Sequence, residues 1–196
     1  MLNDFLIFIP ALLIALSVHE AAHAWAADRL GDPNPRLDGR LSLNPLRHLD
    51  PIGTLMLVIF HFGWGKPVAF DPFNLRRPKR DAALISLAGP TANLILAVLA
   101  AVLIRFFPLI GLFLLPLVII NINLAVFNLL PVPPLDGSKI LYGILPLDWA
   151  DEYNDFMHTY GTILLVLLIL PLGGTSLAIR LVAPVTTLLF RLLLPF

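Results

Sequence analysis

His19-Glu20-Ala21-Ala22-His23 lies inside a long apolar run, Asp4 to Ala27 (DFLIFIPALLIALSVHEAAHAWAA). On a helix, residues i and i+4 share a face one turn apart, so both imidazoles reach a single ion. Glu20 follows His19 by one residue, about 100° around the axis. There its carboxylate flanks the ion and accepts a proton from a metal-bound water. With 5 His and two Glu in 196 residues, an H-E-x-x-H match arises by chance in roughly one such chain in a thousand. Ionisable groups in a membrane helix are costly and mark functional sites. The competing structural reading is a polar cluster tying helices together, which Ser or Asn achieves at lower cost.

A catalytic zinc site takes three protein ligands and leaves the fourth position open. The chain has no Cys, so the third ligand is a His or a carboxylate. His48, His61 and His158 are available, and so is Asp136 in PVPPLDG. Three prolines in four residues forbid a continuing helix there. Non-helical backbone at membrane depth lines a protein cavity, although an ordinary Asp-Gly turn gives the same spelling. Asn93 and Asn128 are amides within apolar runs, suited to holding an oxyanion or substrate, or to bonding between helices. Haem ligation is disfavoured, because i, i+4 imidazoles cannot reach opposite faces of one haem.

The elements that carry these residues belong in a membrane. Hydrophobic residues make up 58% of the chain and charged residues only 13%, with a mean hydropathy of +0.87. A soluble domain carries about 25% charged residues, so a water-soluble globule is excluded. Zero net charge gives no sign of a nucleic-acid partner, and the lack of Cys excludes disulfides and thiolate metal sites. The pattern predicts an all-α polytopic membrane protein with about five transmembrane helices. These are Asp4–Ala27, Asp81–Phe107, Leu109–Leu130, Met157–Leu172 and Ser176–Leu194. The dozen apolar residues of Pro51–Phe62 suit a re-entrant or membrane-edge segment. A single membrane-embedded domain is expected over 1–196, with a catalytic core of about 4–141 and additional helices at about 157–194.

Nine of the 13 Lys/Arg lie between Arg29 and Arg80. The positive-inside rule places that region in the cytoplasm of a cell (plasma) membrane and the N-terminus outside. Gly31 to Asp50 reads as turns and short strands, with Asp38-Gly39 as a hairpin signal. Lys66-Pro67-Val68-Ala69-Phe70 reads as a strand edge, with Pro67 confining it to an edge. Such an edge could bind an unwound substrate by strand addition; a surface loop is the plainer alternative.

With these residues in view, the chain resembles the site-2 protease family of intramembrane zinc metalloproteases, in its compact bacterial and archaeal members. The likeness is carried by HEAAHAWAADRLGDP, GRLSLNPLRHLDPIG, FGWGKPVAFDP, AGPTAN and NLLPVPPLDG, and covers about Leu13 to Leu141. It implies His19, His23 and Asp136 as ligands of one Zn2+ per chain, Glu20 as the catalytic glutamate, and a three-helix core carrying His19, Asn93 and Asn128. The implied reaction is hydrolysis of a peptide bond within or beside a transmembrane segment of a membrane-protein substrate. Two departures stand out. No PDZ-like or CBS-like segment is seen, and Ala69 replaces a proline frequent in this subgroup. A membrane metal-ion transporter, or a non-catalytic relative of the protease, is the alternative function.

Overall fold

The computed structural model describes residues 2–60, 64–171 and 174–194, without the side chains of residues 2–6 and 57–60. Eight α-helices follow in order: α1 Leu2–Leu30, α2 Asn34–Leu37, α3 Pro51–Phe60, α4 Pro78–Phe106, α5 Gly111–Asn128, α6 Asp136–Ile144, α7 Leu147–Ile169 and α8 Leu177–Leu193. Three stretches are long and apolar enough to cross a membrane: Ile7–Leu30, Pro78–Phe106 and Pro108–Asn128. The expected runs at Met157–Leu172 and Ser176–Leu194 are helical but fall outside that set. The first half of α7 carries Asp148, Asp151, Glu152 and Asp155, and α8 has only 17 residues, rising about 25 Å. The short Pro51–Phe62 run forms the ten-residue α3, its last two residues lying outside the described ones.

Helices α1, α4 and α5 pack mutually around small side chains. Ala11, Ala15, Ala97, Ala100, Ala101 and Ala125 are all buried. In a membrane, where lipid is as apolar as leucine, small residues that let backbones approach are what drives such packing. Val118 and Ile122 fill the space between the alanines, and Val182 brings α8 onto the same cluster. Helix α6 lies against α4 at Gly143, where an added Cβ would collide with that of Ala83. At the other end of α6, a Cβ on Gly137 would strike the backbone carbonyls of Leu129 and Leu130. Glycine at 137 therefore lets the chain fold back tightly after α5 and bring Asp136 beside α1.

The small β-element expected on the basic side is not formed: among the described residues there is no strand, only an antiparallel bridge between Leu49 and Gly65. Asp38-Gly39 caps a helical turn instead of closing a hairpin. Gly39 adopts φ +68°, and the N–H groups of Gly39 and Arg40 bond the carbonyls of Arg36 and Pro35, which terminates α2. Residues 66–70 lie in neither a helix nor a strand. Pro67 has no N–H to give, and the Val68 N–H is taken by a side chain of α1.

Two clasps fix this segment. The Lys66 N–H bonds the His48 carbonyl at 2.8 Å, while Arg40 reaches the carbonyls of Arg47 and Lys66. At its far end, the fully buried Asp32 accepts from the N–H of Asp71 at 2.7 Å, the Asn74 amide at 2.8 Å and the Asn34 N–H at 3.2 Å. A buried carboxylate with three donors is well compensated, so Asp32 secures the end of α1 to the loop before α4.

Candidate metal centre

Helices α1 and α4 meet along stripes spaced by four residues. Ala15, His19 and His23 on α1 face Ile85, Gly89 and Asn93 on α4, and all six are buried. The spacing follows from the helical repeat, in which i and i+4 share a face. At Gly89 an added Cβ would lie 2.7 Å from His19 Cε1 and closer still to the His23 ring. Only glycine lets α4 come this near the paired imidazoles.

Each imidazole is oriented through its Nδ1. His23 Nδ1 lies 2.7 Å from the Ile85 carbonyl, and His19 Nδ1 lies 2.6 Å from Asn93 Oδ1. A carbonyl can only accept, so His23 Nδ1 carries the proton. For His19 the direction is set at one remove. Asn93 Nδ2 donates to the Ala15 carbonyl at 3.0 Å and to Asn121 Oδ1 at 2.7 Å. Asn121 in turn donates to the Leu117 carbonyl at 2.8 Å. Two backbone carbonyls thus fix both amides, and Asn93 Oδ1 must receive the His19 Nδ1 proton. In both neutral rings the free lone pair then sits on Nε2, the arrangement outer partners impose on metal-binding histidines.

Both Nε2 atoms point at Asp136. Its Oδ2 lies 3.1 Å from His19 Nε2 and 3.2 Å from His23 Nε2. This oxygen is buried without a hydrogen-bond donor. Three electron-pair donors therefore converge on one point. Protonating one ring would leave the other lone pair against the carboxylate. Protonating both would set two cations with ring centroids 4.6 Å apart in a buried site. A divalent cation satisfies all three donors at once, and the set of two nitrogens and one carboxylate oxygen suits a catalytic zinc site.

The site opens on a cavity of about 100 Å³, room for a few waters. Glu20 lines it beside Asn128, Pro67, Val68 and Lys139. Glu20 Oε2 accepts the Val68 N–H at 3.0 Å, leaving Oε1 without a bond among the described residues. Phe70 and Lys139 close the cavity from opposite elements, the ammonium lying 5.1 Å from the ring centroid.

The structure thus gathers His19, Glu20, His23, Asp136 and Asn128, and sets Lys66–Phe70 beside them. Asn93 stands differently from its sequence-based role. Both its amide hydrogens and its oxygen are spent, so it orients His19 and has no donor left for an oxyanion. Asn128 gives one amide hydrogen to the Leu124 carbonyl and keeps the other. His48 is fully buried with Nε2 bonded to the Ser42 carbonyl at 2.6 Å, His158 is exposed on α7, and His61 lies outside the described residues. Sequence reasoning missed Asn121 and Gly89. Asn121 is an amide in an apolar helix, the same signal that marked Asn93.

Comparison with known proteins agrees with this chemistry. Residues 108–170, which contain Asn128 and Asp136, match the model of Peptidase family M50. Over 176 residues the chain is 35% identical to the Bacillus subtilis protein named "Putative zinc metalloprotease YwhC", covering 83% of this chain and 80% of that protein. It is 37% identical over 150 residues to "Putative zinc metalloprotease Rip2" of Mycolicibacterium smegmatis, covering 72% of this chain. The Rip2 of Mycobacterium tuberculosis is likewise 37% identical over 148 residues, covering 70% of this chain. The match spans 56% of each Rip2 protein. No solved structure matches the chain. A likeness that runs through most of this chain and four-fifths of a relative decides the assignment: the chain belongs to peptidase family M50.

Proposed function

We propose that this chain is an intramembrane zinc metalloprotease that hydrolyses peptide bonds within or next to transmembrane segments of membrane-protein substrates. The observation that carries the reading is the convergence of His19 Nε2, His23 Nε2 and Asp136 Oδ2 beside a buried glutamate, within an apolar helix bundle. Family membership and the names of the relatives support zinc as the ion. Zinc held by His19, His23 and Asp136 supplies Lewis acidity towards water and a scissile carbonyl.

The protein's own groups account for the rest. Glu20, held through Oε2 by the Val68 N–H, presents Oε1 to the cavity as a general base, and returns the proton to the leaving amine. The free Asn128 amide hydrogen is placed to stabilise negative charge on the carbonyl oxygen. Asn93 and Asn121 hold His19 in its tautomer. The small cavity limits water to what the reaction needs.

A helical substrate hides its carbonyls, so it must be extended before cleavage. Residues 66–70, outside any helix and beside the cavity, offer a backbone for that purpose. The Lys66 and Val68 N–H groups are turned onto the protein, whereas Ala69 is exposed and its N–H and C=O have no bond among the described residues. Ala69 therefore supplies a donor that a proline there would lack.

Five crossings complete the proposed topology, with α7 and α8 as the fourth and fifth. The N-terminus then lies outside and the basic Arg29–Arg80 region in the cytoplasm of a cell membrane. From Leu30 at the cytoplasmic end of α1, His23 lies about 10 Å into the bilayer.

Three measurements test these roles. Glu20→Gln should keep its zinc and lose cleavage of a reconstituted transmembrane peptide by about 10²-fold or more. Undiminished cleavage would remove Glu20 from the chemistry, and zinc flux into vesicles would make the protein a transporter. Asn93→Ala should weaken zinc binding by about 10- to 100-fold in a chelator competition; unchanged affinity would contradict its hold on His19. Ala69→Pro should raise KM roughly fivefold, the worth of one hydrogen bond of about 1 kcal/mol, with kcat little changed. An unchanged KM would place the substrate elsewhere.

A further inference from the structure

A second cavity, of about 420 Å³, lies at the C-terminal end of α1 and shares no residue with the metal site. Four of its lining residues are arginines: Arg29 from the last turn of α1, Arg76 and Arg77 from the turn before α4, and Arg80 from the first turn of α4. Asp81 is the one acidic residue in the wall. It is buried, and its Oδ2 accepts the Arg77 backbone N–H at 2.8 Å. Among the described residues, none of the four guanidiniums has a carboxylate within ion-pairing distance. Asp28, next to Arg29 in sequence, is committed to Arg36. Lys79, in the same basic run, is turned away onto the Leu145 carbonyl and the Tyr142 ring.

Like charges do not gather in a concave site without a force holding them there. Here the fold supplies it. The Asp32 clasp binds the end of α1 to Asp71 and Asn74, just before Arg76. Gly31, at φ +118°, lets the chain leave α1 so close to Asn74 that a Cβ would lie 2.9 Å from the Asn74 carbonyl oxygen. The arginines are thus held around the cavity before any counter-charge arrives, the preorganisation that favours anion binding. Guanidinium forks match phosphate oxygens in geometry as well as charge.

The position of the cavity narrows the ligand. It lies at the Leu30 end of the Ile7–Leu30 span, the cytoplasmic end in the topology proposed above, on which this inference rests. One turn before Arg29, Trp25 is 55% exposed, with the guanidinium 5.4 Å from its ring centroid. This is an aromatic residue at the height where membrane interfaces favour it. On α4, Leu84 lines the cavity, and both it and Leu87, one turn further into the Pro78–Phe106 span, are exposed. A ligand with a phosphate in the cavity and a hydrocarbon chain along Trp25, Leu84 and Leu87 meets every one of these groups.

We infer that this cavity binds the phosphodiester headgroup of an anionic phospholipid of the cytoplasmic leaflet. The site anchors α1 and α4, the two helices that carry the imidazoles and their partners, to the inner membrane surface. Lipid retention by the full chain in neutral detergent, read by native mass spectrometry, tests it with phosphatidylglycerol against phosphatidylcholine. The wild type should retain phosphatidylglycerol at least tenfold better. Arg76→Gln/Arg80→Gln should abolish the preference. Arg47→Gln/Arg191→Gln, which removes the same charge outside the cavity, should leave it intact. Circular dichroism melting should show both variants folded, and if the Arg76/Arg80 pair does not fold, single substitutions should each lower the preference severalfold. Equal losses in both double variants, or no preference in the wild type, would overturn the site. Displacement of the lipid by millimolar inorganic phosphate would reassign the cavity to free phosphate.

Discussion

Three electron-pair donors held against one another inside an apolar bundle impose the constraint that organises this protein. His19 Nε2, His23 Nε2 and Asp136 Oδ2 lie within 4.8 Å of one another, and none can relieve the others by hydrogen bonding. The protons that might have done so are fixed on the far side of each ring by the Ile85 carbonyl and by Asn93. Left to themselves these groups would repel, so the packing that confines them acts against a local electrostatic cost. A cation turns the same arrangement into the most favourable contact in the molecule.

The scaffold answers that constraint in three places. Small residues along α1 and α4 bring the helices close enough for a backbone carbonyl to grip His23 and for Gly89 to lie against both rings. The Asn121–Asn93 relay reaches through α4 to α5, so three helices share in orienting one imidazole. The tight fold-back at Gly137 delivers Asp136 from a separate element. A centre built from distant elements resists loosening only if each is anchored. Asp32 and Arg40 do this for the 66–70 segment beside the metal site, and the arginine-lined cavity does it for the ends of α1 and α4.

Much of this was legible in the chain itself. HEAAH within an apolar run specifies two ring nitrogens on one helical face whatever the tertiary structure, because helical geometry alone decides it. The prolines of PVPPLDG announce the break that frees Asp136. The role of Asn93 was less accessible. An amide in an apolar helix signals polar work, but whether it faces a cavity or a histidine depends on the register between α1 and α4, which single-sequence periodicity does not encode. Asn121 was hidden for the same reason. Asp38-Gly39 misled because a glycine at positive φ serves a helix cap as readily as a hairpin. Residues 66–70 form no strand, and the inward Val68 N–H is claimed by Glu20, a contact 48 residues apart in sequence.

The central claim, that a carboxylate from the fold-back completes a site begun by two imidazoles on α1, is tested most directly by metal analysis of purified wild type against Asp136→Ala. A single zinc ion per wild-type chain and its loss from the variant, with helix content by circular dichroism unchanged, is the predicted result. Zinc retained at full stoichiometry and affinity in Asp136→Ala would contradict it.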